Sequence, residues 1–592
     1  MHDTMIPIET KRHSLAHILA QAVKDLYPDV KVAIGPDTED GFYYDFDFGD
    51  FDFSDKELKA VEKKMKKIIS QNQKFEQFDL PIDEAISTIE NEGEIYKLEL
   101  AQKLKKEGEI QLSFYKNVSQ QGDEKFLDMC RWPHVDKMSF LDANSFKLAR
   151  VAGAYWLGNS DNKQLTRIYA YAFYTKDELD VHLKMLDEAK KRDHRILGAK
   201  LKLFTISELI GPGLPLLQPA GMVIRQEIED YLWELHKQVG YQRVWSPHIA
   251  KEHLYETSGH AAKFWDELFN VQWKEDKFIL KPMNCPHHMQ IFADNQFSYR
   301  DMPIRYFEPA TVYRDEKSGQ LSGLTRVRAI TQDDGHLFCR IDQIKDEVKV
   351  ITDIIKEFYT TMGMTNDYWV SLSVRWEDRS KYLWEDDVWE KAENALESAA
   401  DENKLPYKRI EWEAAFYGPK LDFMFKDAIG REWQLATIQC DFNLPVRFDL
   451  GFTNSEWEKE RPVVIHRAIS GSLERWMWVF IEHFAGTFPL WMSPRQVRIV
   501  PVAETFNEYA QIVEAELKKV WVRVTGDYST DGLNKKVRNA EKMHNNYILV
   551  LGEQEQTDGS VSVRNYKTKE QTSEKREDFV ERVLEEIKNR SL

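Results

Sequence analysis

Three short runs constrain this chain more than any other feature: MNCP at 283–286, TQDDGH at 331–336 and HRAISGSLER at 466–475. They supply Cys285, His336 and His466, one soft and two borderline metal ligands, from stretches far apart in sequence. Three protein ligands with a fourth position open is the arrangement of a catalytic zinc; structural zinc sites close with four. A fold that gathers these runs therefore builds a reaction centre rather than a staple. Spacing alone does not decide the matter, because a single cysteine and two histidines are also common core residues. Two arginines stand in the same region, Arg314 in TVYRDE and Arg475 in SLER. Arginines beside a Lewis-acidic metal suit a site that holds one small ligand on the metal and a phosphate-bearing ligand on the guanidinium groups.

A chain of 592 residues predicts about three or four domains. At 42% hydrophobic and 30% charged it has the composition of an ordinary soluble protein. No apolar run reaches the length of a bilayer span, and the N-terminus lacks the basic-then-apolar pattern of a secretory signal. The four cysteines, Cys130, Cys285, Cys339 and Cys440, are too scattered for a disulfide framework, which predicts a reduced, cytoplasmic compartment. The net charge of −18 argues by itself against a nucleic-acid partner. Local basic clusters at 63–67, 190–195 and 535–542 qualify that average, although such runs are usually solvated helix faces.

Residues 1–175 mix helical and strand signals. Ser54 and Glu57 form a capping-box pattern ahead of Leu58, Val61, Met65 and Ile68, which repeat at helical spacing. GFYYDFDFGDFDF at 41–53 alternates like a strand. Residues 176–200 read as a charged connecting helix. A new domain is predicted over 201–492, with the loop GPGLPLLQP at 211–219 near its start and the three runs within it. From 493 onward strand, helix, strand, helix, strand and a final amphipathic helix alternate, the pattern of a small α/β domain.

The middle domain resembles the catalytic core of class II aminoacyl-tRNA synthetases. GMVIRQEIEDYLWELHKQVGYQRVWSP matches the first motif of that class, a long helix running into a strand. TVYRDEKSGQLSGLTRVRAITQDD matches the second, and GSLER the third. The words KPMNCP, AFYGPK, TIQCDF and IHRAISGSLER narrow the resemblance to the threonyl-tRNA synthetase family, from about residue 10 to the C-terminus. The fold this implies is an α+β multidomain one: a class II antiparallel-sheet core, an N-terminal α+β editing domain and a C-terminal α/β anticodon-binding domain. The implied activity is ATP-dependent activation of L-threonine and its transfer to the 3′ end of tRNA(Thr).

By this resemblance Arg314 contacts the α-phosphate of ATP and Arg475 stacks on adenine and reaches the γ-phosphate. Arg326 helps hold the phosphates and Glu316 takes the adenine amino group, with Mg²⁺ on the phosphates. Cys285, His336 and His466 become ligands of one Zn²⁺ per subunit. Gln332, Asp334, Tyr417, Lys420 and Gln439 fall at positions expected around bound threonine. The zinc has a physical purpose, because threonine and valine are nearly isosteric and an apolar pocket separates such pairs by only about 10²-fold. A metal that takes both the amino group and the side-chain hydroxyl makes the hydroxyl obligatory.

Serine also offers both groups and lacks only a methyl, worth about 10–200-fold, whereas translation needs about 10⁴-fold. A second, hydrolytic site is therefore expected. His13 and His17 in HSLAH lie four apart and share one helix face; Cys130 and His134 lie in CRWPH. Spacing leaves open a metal site or a hydrogen-bonding one, and the resemblance favours a water-activating polar site completed by Asp128 and Lys97. In the last hundred residues the resemblance implies an anticodon-binding domain. Lys535, Lys536 and Arg538 after Gly532 are its predicted tRNA contacts. A homodimer is implied as well, since the first motif normally builds the subunit interface.

Two departures from the family pattern stand out. Most bacterial members begin with a ubiquitin-like domain of about sixty residues, whereas this chain starts near the editing domain. Tryptophan also occurs where the pattern has glycine: Trp132, Trp384, Trp412, Trp457, Trp478 and Trp521. About 41 glycines are expected at ordinary usage, and the chain has 27, with 17 tryptophans. The expectation is that some UGA codons read as glycine in the source organism appear here as tryptophan. Rival readings are a proline or serine synthetase, a hydrolase that only deacylates mischarged tRNA, and a non-catalytic tRNA-binding paralogue. The cysteine–histidine set opposes the first, the two arginines the second, and the filled catalytic positions the third.

Overall fold

The computed structural model describes residues 6–261, 265–364, 368–376, 386–411, 413–414 and 418–592. They divide into two compact units, 1–187 and 188–592. The division falls inside the helix Lys176–Arg192, the first part of the predicted connector. That connector is two helices, because Asp193 starts the second, His194–Lys200, by accepting the Arg195 N–H on its side chain.

In the N-terminal unit the helix Ile8–Leu26 is buried along Arg12–Val23. The stretch HSLAHILAQAV carries no Lys, Arg, Asp or Glu, so its burial takes no carboxylate, ammonium or guanidinium out of water, and Ser14 and Gln21 find hydrogen-bond partners inside. It packs on the helix Leu58–Ser70 and the strand Gly41–Asp47. Leu58, Val61, Met65 and Ile68 are all buried, as their spacing predicted, and the Ser54 N–H and hydroxyl both donate to Glu57. The alternating run from Gly41 forms a strand only as far as Asp47. A five-stranded sheet and a three-stranded antiparallel sheet, Lys74–Pro81, Gln111–Val118 and Glu124–Met129, complete this unit.

In the second unit an eight-stranded sheet carries the chemistry. Its order is Gln242–Arg243, Ile304–Tyr313, Ala329–Cys339, Val463–Ser472, Glu432–Asp441, Lys420–Lys426, Tyr368–Val374 and Tyr407–Glu411. The six inner strands are antiparallel and each edge strand pairs in parallel. The helices Pro219–Gln238, Ile344–Thr361 and Leu473–His483 bury their apolar stripes in the core on this sheet. Proline at the first turn starts the helix Pro219–Gln238, where its missing N–H costs nothing.

The C-terminal sheet runs Val524–Gly526, Val497–Pro501, Tyr547–Leu551, Ser560–Asn565, Gln571–Lys575. Its first three strands are parallel and crossed over by helices, as the alternation predicted. The last two form an antiparallel hairpin that the sequence reading passed over. SVSVRN and QTSEK are too polar to announce strands.

Two of the unexpected tryptophans sit in left-handed backbone, Trp457 at φ 67° and Trp521 at φ 63°. Both are 89% exposed. After the helix Asn507–Lys519, Trp521 N–H donates to Lys518 O and Val522 N–H to Leu517 O. That is the Schellman ending, whose left-handed residue is usually glycine. Glycine fills the left-handed position after other helices of the chain, among them Pro219–Gln238 at Gly240 and Ile344–Thr361 at Gly363, each with the same pair of hydrogen bonds. Trp478 is different: it lies in the helix Leu473–His483 and packs edge-on against Trp433, so the backbone makes no demand for glycine there. Trp384 and Trp412 lie outside the described residues.

Candidate active site

The sheet register aligns the site. His336 faces His466 across one strand pair, His466 faces Gln439 across the next, and Gln439 faces Lys420 across the third. Four functional positions from four strands thus form one row. Cys285 begins the helix Cys285–Ala293 and comes to the end of this row. The Cys285 thiol and one nitrogen from each of His336 and His466 lie within 4.8 Å of one another. The donor set, a thiol and two imidazoles, fits zinc, with room for further ligands in a cavity of about 620 Å³.

What supports the two histidines strengthens the fit. The His466 Nε2 lies 2.9 Å from an Asp441 carboxylate oxygen. The His336 Nδ1 lies 2.8 Å from His288 Nδ1, and His288 Nε2 lies 3.0 Å from Glu308. Glu308 is buried and also accepts the Ser246 N–H at 2.6 Å, with Lys281 3.7 Å away. Each chain of contacts ends on a carboxylate, which orients the far nitrogen; the near nitrogens, His336 Nε2 and His466 Nδ1, lie 2.9 Å apart beside the position a metal would take. Burial, then the His466, His288 and Arg467 charges, holds His336 well below the ordinary histidine pKa, so its ring is neutral. Burial, then Asp334 and Asp441, pushes the Cys285 thiol up. Sequence reading missed Asp441, His288 and Glu308. His288 had a signal, the doubled histidine that follows Cys285 and Pro286.

Cys285, His336, His466, Gln332, Asp334 and Gln439 all line the cavity, as do Arg314, Glu316, Arg326 and Arg475. Arg326 Nε donates to Glu316 at 2.7 Å, so these two expected nucleotide residues pair with each other. Gly471, at φ 69°, turns the strand Val463–Ser472 into the helix Leu473–His483, and the Ser472 hydroxyl accepts the Arg475 N–H. This turn aims the first helical residues at the cavity. Glu474 ties the motifs together by accepting the Thr331 N–H at 2.8 Å.

The doublet in TQDDGH splits by strand alternation. Asp334 lines the cavity, where it accepts from Asn284, whereas Asp333 is fully buried and accepts the Ile469 and Ser470 N–H groups. Burial pushes Asp333 up to about 7 against the pull of Arg467 and the two N–H groups. Lys420 belongs to the row but pairs with Asp422 and does not line the cavity. Tyr417 lies outside the described residues.

A second cavity, about 560 Å³, opens in the N-terminal unit. His13, His17, Lys97, Asp128 and Cys130 line it, together with Trp132, which is 62% exposed. His13 Nε2 lies 3.0 Å from the Cys130 thiol and His17 Nε2 3.4 Å from Asp128. Lys97 at 2.7 Å and the Tyr44 hydroxyl at 2.7 Å also hold Asp128. His134 completes a group of four possible ligands but does not line the cavity; it stacks on Phe75 and bonds Ser14. Burial, then His13 and Lys97, holds His17 well below the usual histidine pKa. Burial, then Asp128, pushes Cys130 up to about 11.

The predicted tRNA lysines divide. Lys535 is exposed and pairs with Asp531 at 2.8 Å, and Arg538 is exposed. Lys536 is a correction: it is buried, with its amine against the Pro501 carbonyl, because helical spacing turns it inward beside Ala540.

Residues 267–484 match the family model of the class II tRNA synthetase core domain for G, H, P, S and T, and residues 496–586 match an anticodon-binding domain. The site and fold are thus those of a class II aminoacyl-tRNA synthetase. A threonine–tRNA ligase of Sulfurihydrogenibium sp. is 44% identical over 586 residues, 98% of this chain and 89% of the relative. One from Porphyromonas gingivalis is 46% identical over 557 residues, 93% and 84% respectively. A crystal structure of the RNA-binding domain of threonyl-tRNA synthetase from Cryptosporidium parvum has a TM-score of 0.64 at 38% identity, covering 66% of this chain and 98% of that one. The chain belongs to the threonine–tRNA ligase family.

Proposed function

We propose that this protein activates L-threonine with ATP, releases pyrophosphate and transfers the threonyl group to the 3′ end of tRNA(Thr). The observation that carries this reading is the convergence of Cys285, His336 and His466 at the end of a row of polar side chains, in one cavity with Arg314 and Arg475. A Zn²⁺ held by those three residues would supply a Lewis acid that selects for an amino group and a hydroxyl together. Gln332, Asp334 and Gln439 orient the amino acid. Arg314 neutralises the α-phosphate as threonine's carboxylate attacks it, and Arg475 and Arg326 hold adenine and the outer phosphates of Mg²⁺-bound ATP. Charge neutralisation and positioning dominate such phosphoryl chemistry. Glu316 takes the adenine amino group once Arg326 turns to phosphate.

The test is ATP–pyrophosphate exchange with threonine, serine, valine and proline. Threonine should support exchange, serine less so, and valine and proline not at all; exchange driven best by proline or valine would overturn the reading.

The N-terminal cavity is proposed to hydrolyse seryl-tRNA(Thr). Neutral His17, beside Asp128, takes a proton from water, and Lys97 and the Cys130–His13 pair hold the ester. Release of serine from seryl-tRNA(Thr), with threonyl-tRNA(Thr) spared, checks this; equal hydrolysis of both would refute it. Lys535 and Arg538 are proposed to meet the tRNA. The helix Pro219–Gln238 is proposed to build a homodimer interface in a cytoplasmic enzyme. Among the described residues no helix is long and apolar enough to cross a membrane.

A further inference from the structure

We infer that His194 is a positioning residue for nucleotide binding: its ring ties the far end of the third-motif helix to the returning limb of the second-motif loop. The inference rests on the function proposed above. His194 is 3% exposed and opens the short helix His194–Lys200. Its Nδ1 lies 2.8 Å from Glu482 Oε1, which also accepts the His194 backbone N–H at 3.1 Å. The carboxylate can only accept, so Nδ1 carries the proton. On the other edge of the ring, Nε2 accepts the Leu324 N–H at 3.2 Å. The two contacts together specify one neutral tautomer.

Both ends of this bridge lead to the cavity. Glu482 sits in the last turn of the helix Leu473–His483, whose first turn carries Arg475. Its other oxygen accepts from Arg431 at 2.6 Å, and Arg192 donates to the Glu482 and His483 carbonyls at 3.3 and 2.8 Å, so the helix end is fixed. Leu324 is fully buried and directly precedes Thr325 and Arg326, which line the cavity. Gly323 has φ 50°, and a Cβ there would lie 2.3 Å from His194 Nε2. The loop therefore approaches the ring as closely as a bare backbone allows. A buried N–H or carboxylate without a partner is costly, so the loop cannot shift without losing an interaction that water does not replace. His194 touches neither cavity nor substrate and acts through the loop.

Asparagine and glutamine separate this role from a general contribution to stability. In His194→Asn the amide reaches the Nδ1 position and keeps a donor for Glu482, but the loop loses its acceptor. In His194→Gln the amide reaches the Nε2 position and the loop keeps it. Pyrophosphate exchange in the full-length protein should show KM for ATP rising about tenfold in H194N, with KM for threonine and metal content unchanged. H194Q should stay within about twofold of the unsubstituted protein even where its melting temperature falls as far. Gly323→Ala provides a second route, because its Cβ forces loop and ring apart while residue 194 keeps its imidazole, and it should raise KM for ATP in the same way.

Equal ATP KM values in H194N, H194Q and the unsubstituted protein, or a rise in H194Q alone, overturn the inference. An unchanged ATP KM in G323A overturns it if the histidine variants do not fold. Direct titration with ATP keeps the two readings apart. A protein that binds ATP but shows no threonine-dependent exchange sinks the threonine assignment, while the ratio of ATP affinities between H194N and H194Q still decides the role of His194.

Discussion

The two cavities use the same residue types in opposite ways. Each holds a cysteine with two or more histidines, and each has a carboxylate within reach. In the class II cavity the outer nitrogens of His336 and His466 lead to Glu308 and Asp441, and the two near nitrogens, 2.9 Å apart, face the Cys285 thiol's side of the cavity together. In the N-terminal cavity Asp128 is already claimed by Lys97 and Tyr44, and the thiol is taken up by His13. Four possible ligands in proximity do not make the second site the better metal site. On the proposed reading, support from behind the ligands is what separates a metal centre from a hydrogen-bonded hydrolytic pocket.

The strongest way to break this contrast is to remove one ligand. Cys285→Ser is expected to lose bound zinc and at least about 10³-fold of threonine-dependent exchange, while deacylation of seryl-tRNA(Thr) survives. Parallel losses of both activities would erase the distinction. The converse substitution, His17→Ala, should cost deacylation about 10²–10⁴-fold and leave exchange intact. Its pH dependence follows from the lowered pKa: His17 is neutral, and able to take a proton, at every pH above its folded pKa. Deacylation should therefore persist below pH 6.5, the ordinary histidine value, and fail only in stronger acid. A falling limb centred at or above pH 6.5 would show that burial does not control this ring.

A subtler probe is Asp441→Asn, which leaves all three ligands in place. Chelator competition should show zinc held about 10–100-fold more weakly. Zinc affinity equal to that of the unsubstituted protein would mean that the carboxylate behind His466 is incidental. Asp128→Asn in the other cavity should leave zinc content untouched.

Much of this was legible in the sequence because it is local. The three motifs lie in contiguous words, and strand alternation explains why Asp334 enters the cavity and Asp333 does not. The supports were not legible. Asp441 meets His466 through the pairing of their two strands, and Glu308 meets His288 through a contact between the strand Ile304–Tyr313 and the helix Cys285–Ala293; no spacing encodes either. Lys536 was misjudged because a basic cluster on a helix was taken as one surface, although its spacing to Ala540 places it inside. The hairpin at 560–575 was missed because its strands are as polar as a loop.

The smallest expected effect concerns the backbone. Trp521→Gly and Trp457→Gly should each stabilise the protein by about 1 kcal/mol, since each removes a bulky residue from left-handed backbone without uncovering a core. Chemical denaturation would measure this, and a loss of stability would show that the exposed rings contribute packing. The same geometry favours glycine at both positions in the protein made by its own source. Peptide masses from the native protein decide that, and intact tryptophan at 457 and 521 would end the codon-reassignment reading.

Metal analysis of the purified protein, paired with amino-acid-dependent pyrophosphate exchange before and after chelation, tests the zinc assignment most directly. The account expects about one zinc per chain, exchange with threonine that disappears with the metal and returns on adding zinc, and none with valine at any stage. Full threonine exchange in zinc-free protein would contradict it.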